Sequence, residues 1–163
     1  MSAWVLFLAQ LAILAYALVG GVFLAFSDFI MRSLDKTSGA GGIEAMQSIN
    51  REVMRWVFMT LFLGLAPVSL FFCVYGIFWA ENLAGVPLVV AGALYLIGCF
   101  AVTVFGNVPM NTALDKLEAP TPEAEIYWRQ TYLPRWTMLN TMRTVACVIS
   151  ASVLVFGLFA RAV

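Results

Sequence analysis

The feature that most constrains this chain is the placement of its charges, which leaves long stretches with none. Ser2 to Ser27 gives 26 uncharged residues, Val57 to Ala80 gives 24, and Asn82 to Leu114 gives 33. A helix rising about 1.5 Å per residue needs roughly 20 apolar residues to cross a hydrocarbon core of about 30 Å, so each run is long enough. A fourth run, Thr144 to Ala160, has only 17 residues and reaches crossing length by taking in Trp136 to Arg143. Composition agrees: 63% of residues are hydrophobic and 11% charged, against roughly 45–50% and about 25% in soluble domains. A chain of 163 residues has too much surface for its volume to hide that excess from water. The sequence therefore predicts an all-α protein: a four-transmembrane-helix bundle, with short amphipathic or interfacial helices in its cytoplasmic loops. The whole chain, 1–163, reads as a single integral membrane domain with spans at about 3–28, 57–80, 86–108 and 136–160.

Prolines and loops refine this. Pro67 falls inside the second span, where it should kink rather than end the helix, because a break in lipid would leave backbone groups unpaired. Pro87 suits the first turn of the third span, and Pro109 marks an expected end or bend near Val108. The link at Glu81 to Gly85 is short enough to force an antiparallel hairpin. Arg32, Lys36, Arg51 and Arg55 lie between spans 1 and 2, and Lys116, Arg129 and Arg135 between spans 3 and 4, whereas the other side has only Arg161. Short loops rich in Lys and Arg stay cytoplasmic, so both termini are expected on the non-cytoplasmic side. The apolar stretch through Ser27 is too long for a typical signal-peptide core and reads as a retained span. A bacterial inner membrane is the expected location.

In the first loop, Ser38 to Gly42 (SGAGG) reads as a flexible turn, and Ile43, Met46, Ile49 and Val53 then recur at helical spacing. In the second, Thr121 can cap a helix opened by Pro122, with Glu123 and Glu125 near its positive end, and Pro134 is expected to separate that helix from span 4. Trp128, Tyr132 and Trp136 recur every four residues. They suit an aromatic belt at headgroup level or, alternatively, a ring-lined entrance for an aromatic substrate.

The residues that lipid should reject gather at one end. Asp28 closes span 1, Asn50, Glu52 and Arg55 open span 2, and Asn107, Asn111 and Asp115 leave span 3 at intervals of four. Trp136, Asn140 and Arg143 share one face of span 4. Arg143 lies about 10 Å of helix beyond Trp136, deep enough to need either snorkelling or a partner inside the bundle. Asp28 is the expected partner, with Glu52 and Asp115 behind it. Such a pair can stitch span 1 to span 4. It can also serve a pocket in which Asp28 accepts a proton while Arg143 or an Asn stabilises an oxyanion.

Other chemistry is poorly supported. With nine basic and nine acidic residues there is no global basic charge for nucleic acid. The chain has no His, so haem, zinc and non-haem iron lose their commonest ligand, and no cofactor or metal is expected, although an all-carboxylate or organic site stays open. Cys73, Cys99 and Cys147 sit in apolar runs without metal or redox spacing and read as small hydrophobes. Gly20 and Gly21 suit close helix packing.

Four segments carry a family resemblance: GGVFLAFSDFIMRSL at 20–34, MQSINREVMRW at 46–56, FGNVPMNTALDKL at 105–117 and WRQTYLPRWTMLNTMRTVA at 128–146. In the combination N-V-P-x-N with W-x-x-x-N-x-x-R, the chain resembles the DUF1772 integral membrane protein family, which includes the fungal anthrone oxygenases. That resemblance implies a four-span bundle and, for members with assigned chemistry, conversion of an anthrone to an anthraquinone by molecular oxygen without evident metal or flavin. The expected catalytic set is Asp28, Asn111, Asn140 and Arg143; Asn107, Trp128, Tyr132 and Trp136 are expected to bind substrate. Membrane lipids and an apolar aromatic small molecule are the expected partners, and a homo-oligomer or a membrane-protein partner stays open. Two other readings remain at this point: a non-enzymatic membrane subunit or scaffold, and a small-molecule or lipid-binding transporter.

Overall fold

A computed structural model of the protein describes residues 2–38, 40–80 and 85–160. Five helices follow in chain order: α1 Ala3–Asp35, α2 Gly41–Glu52, α3 Val57–Phe78, α4 Val86–Asp115 and α5 Pro122–Phe159. Among the described residues there is no strand. The chain is an all-α bundle, and α1, α3, α4 and α5 are the helices long and apolar enough to cross a membrane. Each packs on two neighbours, in the cyclic order α1, α3, α4, α5. One end of the bundle carries the link between α3 and α4 and the outer ends of α1 and α5; the other carries α2 and the connection between α4 and α5. These are called here the hairpin end and the loop end.

Helical spacing explains which faces turn inward. On α1, Val5, Ala9, Ala12, Tyr16, Val19, Gly20 and Phe23 are buried at intervals of three and four. Trp4, Phe7, Leu11, Leu14 and Leu18 point outward and are exposed. An apolar outer surface of that extent suits lipid rather than water. With lipid outside, apolar burial drives packing weakly, and close approach and internal polar bonds matter more. At the hairpin half both are present. Gly92 of α4 lies against the Ser69 carbonyl of α3. The Tyr16 and Ser69 hydroxyls are 2.7 Å apart, Tyr95 donates to the Phe62 carbonyl at 2.7 Å, and Ser150 donates to the Ala91 carbonyl at 2.9 Å.

The loop half differs from the expected elements in three ways. First, α1, α4 and α5 run past the expected span limits, and each carries π-helical turns, at Phe26–Ile30, at Tyr95–Ala101 and Thr103–Asn107, and at Trp128–Tyr132. Neither Pro109 nor Pro134 ends a helix. Each sits within the first two residues of an α-helical stretch that follows a π turn, where its missing N–H costs little. α3 likewise continues through Pro67. Second, the capping expected at Thr121 is present, its hydroxyl accepting from the Ala124 N–H at 3.2 Å, but the helix it opens is α5 itself, continuous through Pro134 to Phe159. Third, α2 is the amphipathic helix expected after the glycine-rich turn, and it lies folded onto the bundle. Ile43 and Met46 are buried, and Gln47 donates to the carbonyls of Leu114 and Leu117 at 2.8 and 2.9 Å, satisfying the open end of α4. Gly39 of that turn, residues 81–84 of the hairpin link and Arg161 lie outside the described residues.

Candidate functional site

Arg143 organises the loop half. It stands on the inward stripe of α5 with Trp136, Asn140 and Thr144, and it is only 4% exposed. One guanidinium nitrogen donates to Asn140 Oδ1 at 2.6 Å and the other to Thr103 Oγ1 at 3.3 Å. The guanidinium carbon lies 4.1 Å from the Phe23 ring centroid and 5.2 Å from that of Trp136. Cation–π contacts of this kind contribute about 2 kcal/mol when desolvated. Yet Nε has no partner, and no carboxylate among the described residues pairs with this cation.

The expected Asp28–Arg143 pair therefore does not form. Asp28 lies on the π turn of α1, two-thirds exposed, and takes Arg32 one turn along the same helix at 3.1 Å. Water reaches both members of that pair, so the carboxylate gains more there than by desolvation inside the bundle. The reserve partners are engaged elsewhere too: Glu52 with Arg55 at 3.3 Å, and Asp115 with Arg51 at 2.7 Å. Where a carboxylate was expected, α1 supplies the Ser27 hydroxyl and the Phe23 carbonyl. Asn140 Nδ2 donates to each at 2.6 Å.

A second network runs beside the first. Tyr132 donates to Asn111 Oδ1 at 2.8 Å and accepts from Asn50 Nδ2 at 3.2 Å, while Trp136 Nε1 donates to the same Asn111 oxygen at 2.8 Å. The partners decide how these amides are turned. An indole N–H only donates, so the atom of Asn111 facing Trp136 is the oxygen, and its nitrogen is left to other acceptors. Arg143 only donates and the Phe23 carbonyl only accepts, which orients Asn140 in the same way.

Between α1, α2, α3 and α4, with Trp136 and Arg143 at its back, lies a cavity of about 220 Å³. Its walls include Phe23, Phe26, Phe58, Phe62 and Phe100, and its polar lining is Asn50, Thr103, Asn111 and Arg143. Met54, Leu63, Val104 and Val108 also line it and are exposed on the outside of the bundle, on α3 and its approach and on α4. The cavity therefore opens sideways between α3 and α4, at the depth of their apolar surfaces.

Of the residues singled out from sequence, Asn111, Trp136 and Arg143 line this cavity, and Asn140 holds Arg143 from behind. Asp28 does not line it. Asn107 is not among the lining residues; it is buried behind them and donates to the Trp136 carbonyl at 3.3 Å, with its Oδ1 unpartnered. Trp128 and Tyr132 form neither an exposed belt nor an entrance. They are buried and stack in series with Trp136, at ring separations of 5.4 and 6.0 Å, beneath the cover that α2 provides. Phe23, Ser27 and Thr103 joined the site only in three dimensions, whereas Asn50, already placed in the polar layer by the sequence, lines the cavity. Thr103 had a signal, since it begins the series Thr103, Asn107, Asn111 at intervals of four. Cys99 and Cys147, read as small hydrophobes, are buried with their sulfurs 3.5 Å apart. Among the described residues no cluster of three His, Cys, Asp or Glu side chains occurs.

The family model for anthrone oxygenase matches residues 55–153, well over half of the chain. The chain belongs to the anthrone oxygenase family. The match takes in the N-V-P-x-N segment and the W-x-x-x-N-x-x-R segment, and so Thr103, Asn111, Trp136, Asn140 and Arg143. Asp28, and the Phe23 and Ser27 that contact Arg143 and Asn140, precede it. Among curated proteins and solved structures no significant match is found. Within the anthrone oxygenase family, then, this chain places a buried arginine, without a counter-ion among the described residues, at the back of an aromatic cavity open toward lipid.

Proposed function

We propose that the protein is a membrane oxygenase acting on an anthrone-like aromatic carbon acid, with molecular oxygen as co-substrate and Arg143 holding the oxygen that bears negative charge. The carrying observation is the Arg143 guanidinium, without a carboxylate partner, at the back of an apolar aromatic cavity. An apolar cavity of about 150 Å³ admits benzene, and this one is larger and open on one side. The ring-rich wall suits a flat apolar molecule, and the sideways opening suits one that partitions into the bilayer.

The chemistry asks for little else. Loss of a proton from the methylene of an anthrone gives a carbanion delocalised onto the ring oxygen. Arg143, and the free amide nitrogen of Asn111, supply donors for that oxygen in a water-poor site, where such donors act most strongly. The electron-rich carbon gives electrons to oxygen and forms a hydroperoxide. Loss of the remaining C–H proton with breakage of the O–O bond then leaves the ketone and water. In balance, CH2 and O2 become C=O and H2O: four electrons leave the carbon and four reach oxygen. The positive-charge bias of the loops supports a cytoplasmic loop end.

The test is oxygen uptake by purified protein in lipid nanodiscs supplied with an anthrone, with labelled oxygen followed into the product. The expected result is protein-dependent uptake with one labelled atom in the new carbonyl; absence of both sinks the reading. An apolar-sided bundle without chemistry would still need Arg143 to be sealed, and the opening between α3 and α4 favours a ligand site over a scaffold.

A further inference from the structure

The oxygenase reading leaves one step open, which is where the first proton goes. Among the described residues, the cavity lining contains no Asp, Glu, His, Lys, Cys or Tyr side chain. Its polar groups are three neutral ones, Asn50, Thr103 and Asn111, and the one cation. The titratable groups whose charge would be felt at Arg143 are the thiols of Cys99 on α4 and Cys147 on α5 and the Tyr132 hydroxyl. All three are fully buried, and Tyr132 is committed to Asn50 and Asn111. From α1 the guanidinium meets the Phe23 ring, and α2, α3 and the link between them present Asn50, Phe58, Met59 and Met54 to the cavity. The acids of the loop end do not line the cavity; Asp28, Asp35, Glu52 and Asp115 are each against an arginine.

A guanidinium that has lost its water and faces no anion is costly to hold, and Nε remains without any partner. The arrangement becomes favourable when the occupant supplies the missing charge. We infer that the cavity selects its aromatic ligand as a preformed phenolate or enolate anion. The ligand's acidic proton leaves to water at the loop end before the anion seats against Arg143, and no side chain of the cavity acts as the base. The ligand class is a flat polycyclic phenol or enol, apolar enough to enter from the bilayer and acidic enough to ionise at its surface. The inference rests on the oxygenase reading for the ligand's fate as substrate; the selectivity for the anion does not require turnover.

Alizarin, a hydroxyanthraquinone whose visible band shifts on ionisation, and its dimethyl ether, which has no proton to lose, separate these points. Each is titrated into wild-type protein in nanodiscs at a pH about one unit below the ionisation of the dye in protein-free nanodiscs. A tenfold preference for the anion there raises its share of the bound dye to about half. The expected result is the anion band on binding, with the ether bound roughly tenfold to a hundredfold more weakly, the range expected for a charge-assisted hydrogen bond. R143K should keep the band in part, and R143M should bind dye and ether alike. Bound dye with the neutral spectrum, or an ether that binds wild type as tightly as the dye, overturns the inference even if oxygen uptake is present. Anion binding without anthrone-dependent oxygen uptake instead sinks the oxygenase reading and leaves the anion site standing. The comparison of the two dyes on wild-type protein holds whether or not R143M folds.

Discussion

At the hairpin half, α3 and α4 touch so closely that Gly92 leaves no room for a side chain against the Ser69 carbonyl. At the loop half the same two helices border a 220 Å³ cavity. The first half is sealed by the Tyr16–Ser69 hydroxyl pair and by the bond from Ser150 to the Ala91 carbonyl. The second spends its polar groups on two side-chain networks around Arg143 and Asn111, and its helices carry the π-helical turns. Each π turn adds a residue to one turn of helix and so shifts which side chains face inward; such turns recur at functional sites for that reason. The contrast teaches that one half holds the helices together so that the other can keep them apart. A buried arginine without a counter-ion is tolerable only on a frame whose stability comes from elsewhere.

Four substitutions can break or sharpen that contrast. The largest effect is expected from Arg143→Met. It should lower anthrone-dependent oxygen uptake by about a hundredfold to a thousandfold, the range for losing an oxyanion donor. Helix content by circular dichroism should hold. Equal loss of helix and activity would mean that Arg143 serves the frame instead.

Gly92→Ala should act in the opposite half. Its new methyl meets backbone at Ser69 and the thiol of Cys73, and overpacking of this kind costs about 1–3 kcal/mol. Thermal unfolding in detergent should move down while dye binding at the remaining folded temperatures stays near wild type. Unchanged stability would show that the close approach is not needed.

Tyr132→Phe comes next. It removes the hydroxyl between Asn50 and Asn111 but keeps the ring stacked between Trp128 and Trp136. A loss of roughly 0.5–1.5 kcal/mol should be read in ligand affinity, as a fewfold to tenfold weakening. If affinity is untouched, the network does not orient Asn111 toward a ligand.

Asp28→Asn should do least. The exposed Asp28–Arg32 pair is of a kind that contributes about 0–1 kcal/mol, so turnover should stay within about twofold of wild type. Loss of most activity would restore Asp28 as the base and remove the reason for a preformed anion.

Much of the hairpin half was legible from sequence, because its construction follows periodicity. The stripe of Val5, Ala9, Ala12, Tyr16 and Val19 on α1 is set by 3.6 residues per turn, and uncharged length placed the first three spans, the fourth needing Trp136 to Arg143 as well. The gathering of Asn107, Asn111, Asn140 and Arg143 in one layer was also legible, since each lies near the same end of its helix. The pairing inside that layer was not. Asp28 is at the right height for Arg143 but on a π turn that leaves it toward solvent beside Arg32, and hydropathy carries no signal for such a turn. Trp128 and Tyr132 had belt spacing, yet α2 folds over them, and their burial depends on a contact between segments far apart in sequence.

By itself, then, the sequence determined the all-α architecture, the four crossings and the level at which the polar groups collect. All of these follow from local quantities: charge spacing, helical rise and the cost of unpaired backbone in lipid. Only the tertiary structure decided that Arg143 has no acid partner among the described residues, that Phe23, Ser27 and Thr103 surround it and Asn140 instead, and that the space beside it opens between α3 and α4. Those outcomes rest on the rotation of each helix about its own axis. That rotation is fixed by glycine contacts on one half and π turns on the other, neither of which can be read from a single helix alone.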